Sequence, residues 1–538
     1  MNRLLFAACV LASLPVMADP VFSPDRIRAD VGFLADDLLE GRDTGSRGHD
    51  IAARFVATEF AKAGLKPAGS DGWFKPVGLA VTSLVPGSAS LTLIGKGGET
   101  VLPHAGDVIV SADMIRTAAD IEAPLVFVGF GIDAPAHGHD DYRGLDVKGK
   151  IVVAIGGIPK GPPDEVLAHL ASKKGEMAAA RGAVGFIGLI GLRGQKQYPW
   201  PRRLETANEP SMTWVAKDGT PHVEGAALQG AVQLSPSAAE MLFADARRPL
   251  ADVLAQADSA GGRPRGFALP GRARIKAQSV HSRITSPEVI GLLPGRDPVL
   301  KDEYVVIMAH LDHIGISASK KGDKINNGAL DNASGVAVML EAARAFAASP
   351  PPKRSVLFIA NTGEEKGLLG AEAYADDPGI PVQKIVGVVD LDMPLLLYDF
   401  TDVIAFGADH TTMGNVIASA AAQAGVTLSA DPMPEEAIFV RSDHYTMVKR
   451  GVPAVMLATG FAGEGAKAWR HFLETDYHQP SDDMKLPINW QAAAKFARVN
   501  FLIASRLADD SQRPLWYQGD YFGQTFAPAA PKAPRAAK

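Results

Sequence analysis

Strand-like and helix-like stretches alternate along the second half of this chain. The apolar runs "EYVVIMAH", "RSVLFIA" and "KIVGVVDLDM" are short and rich in Val and Ile, as buried parallel strands are. Between them, "NASGVAVMLEAARAFAA" and "MGNVIASAAAQAG" repeat apolar residues at helical spacing. The alternation predicts a mixed, mostly parallel sheet flanked by helices over residues 266–510, which is an α/β fold.

The first half of the chain has a different pattern. Residues 19–119 start with helical spacing in "GHDIAARFVATEFAKAGL" and continue with short alternations such as "SLTLIGKG", so we expect them to pack on the larger α/β domain. Residues 120–265 place the β-rich runs "APLVFVGFGI" and "KGKIVVAIGGI" before a helical stretch, and the cluster "GGRPRGFALPGR" marks their end. This segment is predicted to be a smaller, β-rich α/β domain.

The two ends of the chain read as a targeting segment and a tail. Residues 1–18 carry the basic Arg3, an apolar stretch and the small Ala18, which predicts a secretory signal peptide and a periplasmic or secreted protein. The apolar stretch is shorter than the ~20 residues that span a bilayer, so we expect no membrane span in the mature chain. Residues 511–538 include "APAAPKAPRAAK", which is low in complexity and predicted to be partly disordered.

Composition narrows the chemistry that the chain can perform. At 538 residues it exceeds one hydrophobic core, and 47% hydrophobic with 21% charged residues is ordinary for globular domains. No basic cluster with interleaved aromatic residues is present, so nucleic acid is not expected as a partner. Cys9 is the only cysteine and lies in the predicted signal peptide, so any metal must be bound by His, Asp and Glu.

Potential ligands of this kind follow the ends of the predicted strands. They are His310 and Asp312 in "VVIMAHLDHIG", Asp331 in "NNGALDNASG", Glu364 and Glu365 in "NTGEE", Asp390 and Asp392 in "VVDLDM", and Tyr477 and His478 in "DYHQPSDD". Functional sites of open α/β sheets lie beyond the carboxyl ends of the strands, so these residues are predicted to meet. Imidazole and carboxylate ligands without thiolate suit zinc in a hydrolytic site.

Two further roles follow from spacing. A pair of metal ions about 3.5 to 4 Å apart needs a bridging carboxylate, which Asp331 could supply. Asp312 stands two residues after His310, and its carboxylate could accept the second imidazole N–H and fix the tautomer. Asp482 could do the same for His478.

With "SDHYTMVKRGVPAVML", these motifs resemble in order and spacing those of the M28 co-catalytic zinc exopeptidases, over residues 286–507. The segment 120–265 resembles the protease-associated domain that some members carry. The resemblance implies one zinc ion held by His310 and Asp392, a second held by Glu365 and His478, and Asp331 as the bridge. It also implies that Glu364 is the general base for a water between the metals, that Tyr477 stabilises the oxyanion, and that a cis peptide joins Asp331 to Asn332.

Some assignments keep a competitor. Asp390 competes with Asp392 because residues two apart on a strand share a face, and we prefer Asp392 because its "DM" context matches the ligand of the family. His313 and His444 have no vacant metal position to fill and are expected to be structural.

The resemblance implies an aminopeptidase that removes N-terminal residues from peptides. A carboxypeptidase of the same class is the main alternative, in which a cationic pocket would bind the terminal carboxylate, and Arg441 and Arg470 are candidates for it. A dipeptidase or deacylase and a non-catalytic binding protein on the same fold rank below these two.

Overall fold

The computed structural model describes residues 20–161, 164–317 and 320–535. The predicted signal peptide at residues 1–18 lies outside the described residues. None of the helices within the described ranges is both long enough and apolar enough to cross a membrane.

The strands are β1 (Lys66–Pro67), β2 (Phe74–Leu84), β3 (Ser90–Gly95), β4 (Gly98–Pro103), β5 (Val108–Val110), β6 (Ala118–Phe127), β7 (Asp133–Ala134), β8 (His139–Asp140), β9 (Ile151–Ile155), β10 (Gly185–Leu189), β11 (Ser211–Trp214), β12 (Ala231–Leu234), β13 (Phe267–Leu293), β14 (Tyr304–His310), β15 (Ser355–Asn361), β16 (Ile385–Asp390), β17 (Asp402–Phe406), β18 (Thr427–Ser429), β19 (Ala454–Thr459), β20 (Trp516–Tyr517) and β21 (Lys532–Ala533).

The α-helices are α1 (Pro24–Leu34), α2 (Arg47–Lys62), α3 (Glu165–Ser172), α4 (Lys174–Ala180), α5 (Leu192–Gln197), α6 (Trp200–Leu204), α7 (Pro236–Phe243), α8 (Leu250–Asp258), α9 (Ser334–Ala347), α10 (Leu369–Asp376), α11 (Met413–Gln423), α12 (His444–Val448), α13 (Gly465–Thr475), α14 (Trp490–Asp509) and α15 (Tyr521–Phe526).

The larger sheet has the strand order β11, β2, β13, β15, β14, β16, β19, β17, β18. Its centre is parallel, since β14 runs parallel to both β15 and β16, and β16 to β19. Antiparallel pairs flank this centre at β13 with β15 and at β19 with β17. The predicted mixed α/β sheet is confirmed, with its parallel pairs at the centre.

The central strands are buried along their length because helices cover the sheet. Every residue of β15, β16 and β19 is buried. Helices α9 and α14 pack on each other and on β14, while α12 contacts β16 and β19. Helices α1 and α2 belong to the same hydrophobic core, as expected for the start of the 19–119 segment.

A second hydrophobic core belongs to a smaller sheet of order β4, β3, β13, β6, β9, β10, β12, β5. This core runs from Ala89 to Ala277 and therefore extends beyond the predicted segment 120–265 on both sides. The reason is that Leu91, Leu102 and Val108 on β3, β4 and β5 face it. The single long strand β13 enters both sheets and joins the two domains.

The C-terminal segment is more ordered than its composition indicates. Residues 511–535 contain the β20 and β21 pair and α15. Trp516 and Phe522 are buried in the larger core and anchor this stretch, of which only a part is predicted to be disordered. Residues 536–538 lie outside the described residues.

Candidate active site

The side chains predicted at the strand ends meet at one edge of the larger sheet. They are His310 at the end of β14, Glu364 and Glu365 after β15, Asp392 after β16, Asp331 before α9, and His478 after α13. Because β14, β15 and β16 are parallel neighbours, their carboxyl ends lie at the same edge. The topology therefore brings together residues that are far apart in the chain.

The first cluster contains His310, Asp331 and Asp392. His310 Nε2 lies 3.1 Å from Asp392 Oδ1 and 3.4 Å from Asp331 Oδ1. His310 Nδ1 lies 3.0 Å from the backbone carbonyl oxygen of Asp312, so Nδ1–H donates to this carbonyl. That bond leaves Nε2 free to bind a metal.

The carboxylate of Asp312 does not make the contact predicted for it. It accepts hydrogen bonds from Thr44 Oγ1 at 3.0 Å and from the backbone N–H groups of Glu364 at 3.2 Å and Glu365 at 3.4 Å. The side chain points towards the loop after β15, and the carbonyl of the same residue is left to bind His310. Asp312 therefore positions the Glu364 and Glu365 loop.

The second cluster shares Asp331 with the first. His478 Nε2 lies 3.3 Å from Asp331 Oδ2 and 3.2 Å from Glu365 Oε2. The two carboxylate oxygens of Asp331 thus face different histidines, with Oδ1 towards His310 and Oδ2 towards His478. The peptide bond between Asp331 and Asn332 is cis, as the resemblance implies.

Asp482 supports the shared carboxylate instead of His478. Its Oδ1 accepts from the backbone N–H of Leu330 at 2.8 Å, and its Oδ2 accepts from that of Asp331 at 3.0 Å. The prediction of an Asp482 to His478 contact is therefore wrong. The loop that carries Asp331 is the nearer partner, and it presents two N–H groups to one buried carboxylate.

A third imidazole lies in the second cluster. His313 is fully buried, and its Nδ1 lies 2.6 Å from Glu365 Oε1 and 4.0 Å from Asp331 Oδ2. His313, Asp331 and Glu365 place one donor atom each within 4.8 Å of one another. The sequence predicts a structural role for His313, although its place in the same loop as His310 and Asp312 is a usable signal for a metal position.

Asp392 and Asp390 have different surroundings, as the preference for Asp392 requires. Asp390 is fully buried and accepts a hydrogen bond from the backbone N–H of His444 at 3.1 Å. Ser442 Oγ lies 2.9 Å from Asp390 Oδ2 and 2.6 Å from Asp392 Oδ2. Asp392 touches His310 and Asp390 does not, so Ser442 and Asp390 lie behind Asp392.

The clusters carry an excess of negative charge that favours cations. Burial lowers the pKa of His310, but the carboxylates of Asp392 and Glu364 outweigh it and hold that pKa well above its usual value. Glu365 and Asp331 likewise raise the pKa of His478 to about 10 against the effect of burial. Burial with nearby carboxylates also raises the pKa of Glu364 well above its usual value.

The residues present fit a divalent metal. Carboxylates packed around shared imidazoles in a largely buried space repel one another unless cations balance them. The donors are imidazole nitrogen and carboxylate oxygen, the set that zinc accepts in hydrolytic sites. The same donors also suit other divalent transition metals.

A cavity of about 1090 Å³ opens onto the clusters. Asp331, Glu364, Glu365, Asp392, Tyr477 and His478 line it, which places the predicted base and the predicted oxyanion donor beside the ligands. The ring centroids of Tyr477 and His478 lie 3.9 Å apart. The smaller domain forms part of the wall through α5, α6 and the residues that follow, including Lys196, Arg202 and Glu205.

Comparison with known proteins agrees with this arrangement. A "Probable zinc metalloprotease" of Pyrenophora teres f. teres (strain 0-1) is 38% identical over 125 residues, which cover 22% of this chain and 26% of that protein. "Aminopeptidase YwaD" of Bacillus subtilis (strain 168) is 37% identical over 92 residues, which cover 17% of this chain and 18% of that protein. The matched stretches thus span about a quarter or less of these relatives.

Among solved structures, an aminopeptidase from Aneurinibacillus sp. strain AM-1 has a similar fold, with a TM-score of 0.54 and 19% sequence identity. The superposition covers 93% of this chain and 97% of that chain, so the likeness in fold extends over both domains. Residues 288–504 match the family described as "Peptidase family M28", and this range contains both clusters. Residues 288–504 of the larger domain are therefore a domain of peptidase family M28.

Proposed function

We propose that this protein is an aminopeptidase that uses two zinc ions to hydrolyse the first peptide bond of peptides. The observation that carries the proposal is the position of Asp331, whose two oxygens face two separate histidines. A carboxylate shared in this way is the bridge that a two-metal site needs. The family match and the names of the relatives support zinc as the metal.

One metal ion would be held by His310 and Asp392, and the other by Glu365 and His478, with Asp331 shared. His313 lies close enough to Glu365 to orient it or to join the second group. When bound, zinc supplies Lewis acidity that activates water and polarises the scissile carbonyl.

Glu364 is the group that moves protons in this proposal. Its carboxylate lines the cavity beside the proposed ligands, a position that suits a base that takes a proton from water and returns it to the leaving amine. Asp312 holds the backbone of Glu364 in place through the hydrogen bond at 3.2 Å. Tyr477 lines the same cavity and is proposed to donate its hydroxyl to the oxyanion.

The cavity wall supports cleavage after an apolar first residue. Its apolar lining includes Met393, Phe406, Ile438, Met456, Trp469 and Leu473. Arg441, which sequence analysis considered as a carboxylate binder, pairs with Glu436 at 3.4 Å. That pairing weakens the case for a carboxypeptidase.

Arg470 keeps the carboxypeptidase as the second candidate. It lines the cavity and forms no ion pair with any described residue, while its Nε donates to the carbonyl of Ala466 at 3.1 Å. A terminal carboxylate would find a free guanidinium there. Peptides blocked at one end distinguish cleavage from the N-terminus from cleavage from the C-terminus.

We also propose that the smaller domain is a protease-associated domain and that the protein is exported. The pattern of residues 120–265 and the share of the cavity wall formed by α5 and α6 support the first statement. The composition of residues 1–18 supports the second.

Two variants distinguish the proposed roles of Glu364 and Asp331. Glu364→Gln keeps the size of the side chain and removes the base, so we expect full metal content and a fall in kcat of about 10²- to 10⁴-fold. Asp331→Ala removes the shared ligand, so we expect loss of metal together with loss of activity. Glu474→Gln serves as the control, because Glu474 lines the same cavity and belongs to neither cluster.

Metal content by elemental analysis and initial rates on a leucyl peptide measure these outcomes. A Glu364→Gln protein with normal kcat would overturn the assignment of the base. An Asp331→Ala protein that retains its full metal content would overturn the shared site.

A further inference from the structure

A short segment of the N-terminal region reverses direction against the loops that carry the two clusters of candidate ligands. Glu40, Gly41 and Arg42 have positive φ angles of 51°, 70° and 49°, and this left-handed backbone reverses the chain. A side chain at Gly41 would meet the carbonyl oxygen of Asn326 at 2.4 Å, so the approach of the two backbones requires glycine. The segment is thus held tightly against the loops of the site.

The side chain of Arg42 is buried without an acidic partner. The residue is 1% exposed, and no carboxylate among the described residues forms an ion pair with its guanidinium. Nε donates to the carbonyl of Leu311 at 2.9 Å, and Nη2 donates to that of Gly328 at 3.1 Å. Nη1 donates to the carbonyl of Asn327 at 2.6 Å and to that of Leu34.

These carbonyls belong to the loops that carry the ligands. Leu311 is the residue after His310, while Asn327 and Gly328 lead into the turn of Asp331. One planar guanidinium therefore connects the His310 loop to the Asp331 loop through backbone groups. Because its five N–H donors have a fixed geometry, arginine sets the distance between the two loops more rigidly than a flexible cation would.

Backbone contacts of the same segment reinforce this arrangement. The N–H of His313 donates to the carbonyl of Arg42 at 3.4 Å, and that of Gly315 donates to the carbonyl of Gly41 at 3.2 Å. Thr44, two residues further on, donates its hydroxyl to the carboxylate of Asp312.

The charge of Arg42 also matches its surroundings. Burial lowers its pKa to about 10, while the carboxylates of Asp482, Asp312 and Asp331 favour the charged form. Arg42 is not among the residues that line the cavity, so it acts on the site through the loops and not by touching a substrate.

We propose that Arg42 is a positioning residue of the metal centre, whose guanidinium fixes the spacing between His310 and Asp331 and so sets the metal affinity of the site they share. This inference rests on the proposed zinc site. It assigns a role in metal binding to an N-terminal segment outside the matched family range of residues 288–504.

The chain contains a matched control for the test. Arg354 is also fully buried, and its Nη1 donates to the carbonyls of Leu507 and Asp510, with Glu303 2.8 Å from its Nε. These partners belong to neither cluster. Arg354→Met therefore removes an equally buried guanidinium and leaves the metal loops untouched.

The experiment measures zinc affinity of the full chain by competition with a chelator, with circular dichroism to confirm folding. We expect Arg42→Met to weaken zinc binding by about 10- to 100-fold, the usual effect of removing a group that orders metal ligands. Arg42→Lys should recover only part of the affinity, since a lysine keeps the charge without the planar fork. Arg354→Met should lower thermal stability and leave zinc affinity within about twofold of wild type.

Wild-type affinity in a folded Arg42→Met protein would overturn the inference. If Arg42→Met does not fold, Arg42→Lys decides, and wild-type affinity in that variant would overturn it equally. A wild-type protein that binds no zinc would refute the proposed function as well, whereas normal zinc binding in wild type and in both Arg42 variants would refute the inference alone.

Discussion

His410 connects three parts of the molecule, and replacing it tests the electrostatics of their junction. Its Nδ1 lies 2.6 Å from Asp520 Oδ2 in the C-terminal segment, and its Nε2 lies 2.7 Å from Glu165 Oε2 at the start of α3 in the smaller domain. The imidazole itself belongs to the larger domain and packs against Phe439 and Phe522. The perturbation is His410→Gln, which keeps one donor and cannot carry a charge.

The magnitude follows from the pKa. Burial lowers the pKa of His410, but hydrogen bonds to Asp520 and Glu165 outweigh it and raise the pKa to about 9 from 6.5. Because a shift of one pKa unit corresponds to about 1.36 kcal/mol, the charged imidazole stabilises the folded state by about 3 kcal/mol. A raised pKa in the folded state means that this contribution is complete below pH ~6.5 and is lost as pH rises through about 9.

The assay compares the free energy of unfolding of wild type and His410→Gln in urea at pH 6 and at pH 9.5. We expect the difference between the two proteins to shrink by about 3 kcal/mol from the lower to the higher pH. Two further groups belong to this junction: Arg535 lies 3.5 Å from Asp520, and burial together with the Glu165 carboxylate raises the pKa of Asp431. Both groups are present in wild type and in the variant, so their contributions cancel when the free energy of unfolding of the variant is subtracted from that of wild type at each pH.

His471→Gln is the control, because His471 is exposed on α13 and its ring has no hydrogen bond among the described residues. It should show no pH-dependent difference from wild type. A His410→Gln protein whose stability deficit is the same at both pH values would refute the reasoning, since the ion pairs would then contribute nothing to folding.

Two further predictions concern the groups that hold the ligands. Asp482→Asn leaves one oxygen to accept from the backbone N–H groups of Leu330 and Asp331. We therefore expect zinc affinity to fall by about 10- to 100-fold in a chelator competition. Unchanged affinity would contradict this role of Asp482. His313→Phe removes the imidazole that contacts Glu365 at 2.6 Å. We therefore expect one of the two zinc ions per chain to bind weakly in a zinc titration. Two equally tightly bound ions would show that His313 is only structural.

The candidate site was predictable in outline because its candidate ligands follow the strands of a parallel sheet. His310, Glu365 and Asp392 come directly after buried apolar runs, and the topology of such sheets brings these ends together. The choice of Asp392 over Asp390 is consistent with the contacts of both side chains.

The supporting contacts were not predictable in the same way. Asp312 and Asp482 are close in sequence to histidines, yet both bind backbone N–H groups of loops that are distant in the chain. Spacing along the chain specifies which residues are near a ligand but not which of several donors a buried carboxylate reaches. The role of Arg42 depends in the same way on tertiary contacts to residues more than 260 positions away.

The observed boundaries of the smaller domain differ from the predicted residues 120–265 for a related reason. Strands β3, β4 and β5 follow β2 closely in the chain, and it is their pairing that places them in the smaller sheet while β2 pairs in the larger one. Strand β13 continues from one sheet into the other without a turn, so the Gly and Pro cluster at residues 261–271 marks its beginning and not the end of the smaller domain. At the C-terminus, the anchors Trp516 and Phe522 precede the low-complexity run at residues 527–538, and both are buried.

The central claim is that two zinc ions serve N-terminal hydrolysis. The most direct measurement determines zinc content and hydrolysis together, on protein lacking residues 1–18, with N-terminally free and N-acetylated peptides of one sequence. We expect two zinc ions per chain and cleavage of the free peptide alone, from its N-terminus. Cleavage of both peptides from the C-terminus, or full zinc content without cleavage of either, would contradict it.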